Sequence, residues 1–261
     1  SRAAIEAWPR FEATRAQLRA VLDSKEQIPG VVRRGDWLWN FWRDDRHPRG
    51  LWRRTTLEQY RRPQPAWEVL LDLDALAAAD GENWVWHGAA CLAPAYRRCL
   101  LMLSRGGSDA QVVREYDLAT RSFVADGFTL PEAKSSVEWL DADTIYVATD
   151  FGPGSLTDSG YPRIVKRWSR GTPLASAATL FQGEPSDVAS GVHVDDTPGF
   201  ERTTFGRSLD FYTSRVWLLE PAATPGAAPR LVPVDKPDDA NLAFWRDRVL
   251  IELRSDWTTG G

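Results

Sequence analysis

From Val31 onward, apolar and polar residues alternate in short runs, and each run is closed by Gly, Pro, Asp or Asn. A period of two with this punctuation predicts half-buried β-strands joined by tight turns. The N-terminal stretch departs from it. Between Phe11 and Lys25, Leu18, Val21 and Leu22 recur at three- and four-residue spacing among Ala and Arg, which predicts a helix stopped by Pro29-Gly30. Beyond that point the helical period is almost lost.

The clearest strand cycle runs from Lys134 to Gly183. Ser135–Trp139, Thr144–Thr149, Arg163–Trp168 and Ala178–Phe181 are its four strands, with a turn at Asp141-Ala142-Asp143 and a long Gly/Pro loop from Asp150 to Pro162. The same cycle fits Val31 to Leu71 and Trp84 to Val124. It fits again later, with Ser208–Tyr212, Arg215–Leu219 and Leu231–Val234 as strands, and restarts with Asn241–Trp245 and Val249–Leu253. Turns at Asp36, Arg97, Asp143, Arg207 and Asp247 recur at intervals of roughly 40 to 65 residues, a propeller-like period. The expected fold is all-β: an incomplete β-propeller of about four four-stranded blades plus the start of a fifth, preceded by a short N-terminal helix. The helical segment is assigned to residues 1–30 and the partial propeller to 31–261, with blades at about 31–74, 82–126, 134–183, 190–235 and 240–261. A β-sandwich is the structural alternative.

Composition narrows the partners. The formal net charge of −4 argues against a nucleic-acid surface, which needs a basic excess to displace counterions. The chain lacks the long apolar run of a membrane helix and the leader pattern of a secreted protein, so a cytoplasmic setting is favoured, or a periplasmic one if a leader has been removed. Thirteen tryptophans are the outlying count. They read as packing between sheets rather than as a carbohydrate platform. Cys91 and Cys99 read as two buried thiols on neighbouring strands.

Catalytic chemistry is hard to place. Gly107-Ser108 and Gly154-Ser155 lack the second glycine and the following helix that a G-x-S-x-G nucleophile turn requires. His47, His87 and His193 read as surface or inter-blade hydrogen-bonding residues, and Asp44-Asp45 and Asp195-Asp196 as turn or loop acids. Gly106-Gly107-Ser108-Asp109 reads as a tight hairpin turn. No catalytic residue, metal site or cofactor is expected within the chain.

Several motifs, in order, resemble the prolyl oligopeptidase family of serine peptidases. They are Glu68–Leu76 with Glu82–Trp86, Leu103–Leu118, Gly127–Asp141 and Thr149–Arg163. The resemblance implies an N-terminal seven-bladed propeller that caps a C-terminal α/β-hydrolase domain and keeps folded proteins from its Ser-Asp-His machinery. On that reading the chain is the gating, substrate-filtering propeller of an enzyme that hydrolyses short peptides after proline. The last blades and the hydrolase domain would lie beyond it, and the chain alone would be inactive. The implied partners are that hydrolase domain and short peptides, with no nucleic acid and no membrane. Lys134 is the one substrate-side candidate, because the start of the third blade can face the internal chamber. A free-standing binding propeller is the alternative. An open arc of blades leaves strand edges and apolar faces uncovered, so self-association of the isolated chain is expected.

Overall fold

The computed structural model describes residues 2–22, 28–220 and 229–258. Two helices, α1 (Arg2–Glu6) and α2 (Phe11–Leu22), precede the strands. Residues 23–25, which the sequence adds to the second helix, lie outside the described residues. The first sheet holds β1 (Val32–Arg34), β2 (Trp37–Trp42), β3 (Leu51–Thr56) and β4 (Glu68–Asp72), with α3 (Leu57–Tyr60) between the last two. After α4 (Leu73–Asp80), the second sheet holds β5 (Trp84–Cys91), β6 (Arg98–Arg105), β7 (Gln111–Asp117), β8 (Ser122–Phe123) and β9 (Thr129–Ala133). The third holds β10 (Ser136–Asp141), β11 (Thr144–Ala148), β12 (Ile164–Ser169) and β13 (Ala178–Gln182). The fourth holds β14 (Ala189–Asp195), β15 (Arg202–Ser208), β16 (Ser214–Glu220) and β17 (Arg230–Pro233), and a hairpin of β18 (Asn241–Trp245) and β19 (Arg248–Glu252) starts a fifth. Neighbouring strands are antiparallel and, apart from β9, which pairs back onto β7, follow sequence order, the propeller-blade pattern of an all-β chain.

Alternation within single strands explains the stacking of sheets. Leu101 and Leu103 of β6 join the core towards the first sheet, whereas Leu100 joins the core towards the third. Ile145 and Val147 of β11 face the second sheet, and Tyr146 and Ala148 face the fourth. A strand buried on both faces loses the polar half of its alternation, which accounts for the unbroken run Cys99–Leu103. The tryptophans fill these interfaces. Trp39, Trp52, Trp84, Trp139 and Trp168 are buried, and Trp52 lies 5.2 Å from both Trp39 and Trp86. Ring pairs at such distances add about 0.5–1.5 kcal/mol beyond the area they bury.

The second sheet has a split outer strand. β8 and β9 both pair with β7 and are separated by a turn in which Gly127 N donates to Val124 O; the register of β9 against β7 shifts between Gln111 and Val113. A β-carbon on Gly127 would lie 2.8 Å from the β-carbons of Glu115 and Val124, so only glycine fits there.

Several expectations need correcting. The segment after β4 is helical: the Asp72 side chain accepts from Ala75 N at 3.0 Å, and Gly81, with φ 66°, ends α4 in the left-handed region. Arg207 is not at a turn but within β15. The expected strand Ser208–Tyr212 is mostly a loop, in which Asp210 Oδ1 accepts from Tyr212 N and Thr213 N. Alternation could not separate the end of β15 from this apolar loop. Cys91 and Cys99 do lie on neighbouring strands, but as a disulfide rather than free thiols. The register pairs them directly across β5 and β6, with Cα atoms 4.0 Å apart.

Candidate functional site

An even number of antiparallel strands returns the chain to the side from which it entered a sheet. The connections between sheets, together with the second-to-third-strand loops, therefore share one side of the molecule. The remaining hairpins share the other. The first strands β5, β10 and β14 lie side by side, and β1 reaches β5 through Arg34, so the first strands form an inner wall with a mouth on each side.

At the first mouth stands Lys134, just ahead of β10. Its Nζ lies 3.8 Å from the centroid of the Tyr161 ring and 3.8 Å from Asp109 Oδ2, and its side chain keeps 30% of its exposure. Tyr161 donates its hydroxyl to Asp109 Oδ2 at 2.8 Å, which pushes the phenol pKa up. Asp109 belongs to the β6–β7 turn, where Gly106 and Gly107 take φ values of 67° and 84°. Gly106 N donates to Asn83 O, and Ser108 Oγ donates to Ala110 O. The turn thus builds a cation–aromatic–carboxylate corner between the second and third sheets. Nearby, a shallow pocket of about 420 Å³ is lined by Arg49, Asp74, Gly81, Glu82 and Asn83. Two of its charged groups are held by neutral partners: Asp74 accepts from Arg49 N and Gly50 N, and the Arg49 guanidinium donates to Asn83 Oδ1 and Trp84 O.

The wall itself carries Glu138 on β10 and His193 on β14, with Nδ1 3.6 Å from Oε1. The bond to Glu138 raises the His193 pKa although burial opposes it. At the second mouth, Arg34 donates to Ala89 O at 3.1 Å and contacts Cys91 Sγ at 3.3 Å. Burial holds its guanidinium below its ordinary pKa, partly offset by Tyr96, Asp196 and Glu138. Tyr96 sits at the tip of the β5–β6 hairpin with φ 49° and reaches Asp196 Oδ2 at 3.5 Å. Cations and carboxylates from four sheets thus converge along one wall, an arrangement that can orient a charged, extended chain.

The other acids, histidines and serines are held elsewhere. Asp44 accepts from His47 N, Arg46 N and Trp42 Nε1, and from the His47 ring across 3.0 Å in the tautomer that carries the Nδ1 proton. His87 meets Gln111 Oε1 at 3.2 Å. Asp195 pairs with Arg202, while its neighbour Asp196 faces Tyr96. Ser155 is buried; its Oγ lies 2.6 Å from Gly152 O and accepts from Phe151 N at 2.8 Å, so it closes its own loop. The contacts found for the three histidines join none of them to a serine.

Glu115 is the residue that alternation conceals most. It is fully buried within β7. Burial pushes its carboxyl up, but hydrogen bonds from Arg170, Phe128 N and Arg98 outweigh this and leave it below the usual carboxylate range. Arg170 reaches both oxygens at 2.8 and 3.1 Å and continues to Asp143, locking the second sheet to the third.

The sequence profile of the prolyl oligopeptidase N-terminal beta-propeller domain matches residues 2–256. A peptidase of Sinorhizobium fredii is 40% identical over 256 residues, covering 96% of the chain and 35% of the relative. A peptidase of Rickettsia prowazekii is 30% identical over 266 residues, covering 97% and 36%. The solved structure of a post-proline cleaving enzyme from Rickettsia typhi superposes with a TM-score of 0.83 at 29% identity, over 98% of this chain and 38% of that one. The chain therefore spans about a third of the length of these relatives.

Proposed function

The chain belongs to the prolyl oligopeptidase family, to whose N-terminal β-propeller domain it corresponds, and on that footing we propose that it gates and filters short peptides for an α/β-hydrolase domain further along the same polypeptide. The observation that carries the reading is the charged inner wall, open at two mouths, in a chain that spans about a third of its peptidase relatives. Peptide hydrolysis after proline would belong to the hydrolase domain. Each complete sheet begins and ends on one side, so a domain that follows the sheets attaches on the side of Lys134. This topology supports reading Lys134, which lies 3.8 Å from the Tyr161 ring and from Asp109 Oδ2, as a positioning cation for a peptide carboxylate or carbonyl. Selection would be steric: a short extended chain reaches the enclosed chemistry and a folded protein does not.

The test uses the full-length polypeptide and proline-containing substrates of increasing size. Short peptides should be cleaved, and a folded protein displaying an exposed proline loop should survive. Cleavage of the folded protein at a comparable rate would remove the filtering role. Lys134→Met should raise KM for short peptides about five-fold, the loss of ~1 kcal/mol of binding, with kcat unchanged.

A further inference from the structure

We propose that the Cys91–Cys99 disulfide is a reducible site, opened by a dithiol reductant, which loosens the hairpin tip at the second mouth of the inner wall. Three observations converge on it. First, the bond joins the strand ends on which the tip is built. Leu92 N donates to Arg98 O at 2.9 Å just beyond it, and Tyr96 N donates to Leu92 O at 2.8 Å. Second, apart from Leu92 and Tyr96, whose side chains pack against the cores on either side of the second sheet, the tip is tied to other sheets by few polar contacts. The Tyr96 ring lies over Gly35 of the first sheet, where a β-carbon would stand 3.8 Å from Tyr96 Cε2, and its hydroxyl meets Asp196 of the fourth sheet at 3.5 Å, a long contact. Arg97, by contrast, is fixed to Asp117 through two hydrogen bonds of 3.1 and 3.0 Å. Cutting the disulfide removes the one covalent tie across the strand ends and loosens residues 92–96, which are then held by two backbone hydrogen bonds and the packing of Leu92 and Tyr96, while Arg97 and β6 stay in place. Third, the surroundings suit thiol chemistry. Cys91 is partly exposed while Cys99 is fully buried, so an incoming thiolate reaches Cys91. The Arg34 guanidinium, 3.3 Å from Cys91 Sγ, favours a thiolate there. Sγ of Cys99 lies 3.9 Å from the Tyr96 carbonyl, an acceptor that only a reduced thiol can use.

The exchange balances. A donor thiolate attacks Cys91 Sγ, the Cys91–Cys99 bond breaks, and Cys99 leaves as a thiolate that takes a proton. The donor's second thiolate then attacks the donor sulfur of the mixed disulfide. Cys91 leaves beside Arg34, and the donor closes to its own disulfide. Two electrons pass from the donor dithiol to the protein disulfide.

Hydrogen exchange and thiol labelling read this directly, without reference to hydrolysis, so its failure is separable from failure of the peptidase reading. The full-length polypeptide is treated with dithiothreitol under native conditions, alkylated, and followed by mass spectrometry. Both cysteines should become labelled, and exchange across residues 92–96 should speed up about ten-fold while the β11 segment is unchanged. The double substitution Cys91→Ser with Cys99→Ser should exchange fast without reductant. Arg34→Met should slow alkylation of reduced Cys91 at pH 7. Labelling that appears only after denaturation, or reduction that leaves exchange at 92–96 unaltered, would overturn the proposal. Should the double variant not fold, the reduction experiment on the unaltered chain decides alone.

Discussion

Two carboxylates tie neighbouring sheets to cations, and their surroundings give them opposite roles. Glu115 joins the second sheet to the third with no solvent exposure, two guanidinium partners and a backbone N–H. Glu138 joins the third sheet to the fourth through a single 3.6 Å contact to a histidine whose side chain is 69% exposed. A buried charge that loses its partner cannot recover hydration, so Glu115 is fixed by its setting. A charge on the open wall exchanges its partner for water or a ligand at little cost. The same chemistry therefore locks the scaffold at one interface and stays available for contact at the next.

The strongest attempt to break this contrast is Glu115→Gln. It leaves Arg98 and Arg170 facing a neutral group, each with one remaining carboxylate, Asp117 and Asp143, and should cost about 3 kcal/mol, read as a lower midpoint in urea denaturation at unchanged slope. Because the folded-state pKa of Glu115 is depressed, its stabilisation is present above the unfolded carboxylate range and is lost as pH falls through the lower folded value. The variant and the parent should therefore converge in stability under acid. A variant as stable as the parent at neutral pH would show that the lock is not electrostatic.

The smaller effect is at the wall. His193 has a raised pKa in the folded chain, so its bond to Glu138 stabilises fully below the unfolded histidine pKa and fades as pH rises through the folded value. Glu138→Gln should cost less than about 0.5 kcal/mol at pH 6 and nothing at pH 9. NMR titration of His193 should show its pKa fall towards the ordinary histidine value. A large loss of stability at both pH values would erase the distinction between the two pairs.

The strand cycle was legible because alternation and turn chemistry act locally. Thr144–Ala148 and the Gly106-Gly107 turn fall where the pattern places them. Legibility ended where one residue serves two elements. The run through Ser208 to Tyr212 is apolar enough for a strand, yet Asp210 folds it into a loop. The α4 helix was announced by the Asp72 cap, the alanines and Gly81, signals obscured by the strand-rich context on either side. The disulfide needed register, since cysteines eight residues apart face each other only if the hairpin turns where it does. The site was less legible than the fold. Lys134 was singled out, but its corner with Tyr161 and Asp109 joins residues distant in the chain, and alternation along β7 conceals the burial of Glu115.

The central claim is that these residues filter substrate and carry no catalysis of their own. Its most direct test sets the isolated 261-residue chain beside the full-length polypeptide, each given a proline-containing chromogenic peptide and a serine-directed fluorophosphonate label. The full-length protein should hydrolyse the peptide and take the label on a serine beyond residue 261, and the isolated chain should do neither. Hydrolysis by the isolated chain, with label on a serine such as Ser155, would contradict the account.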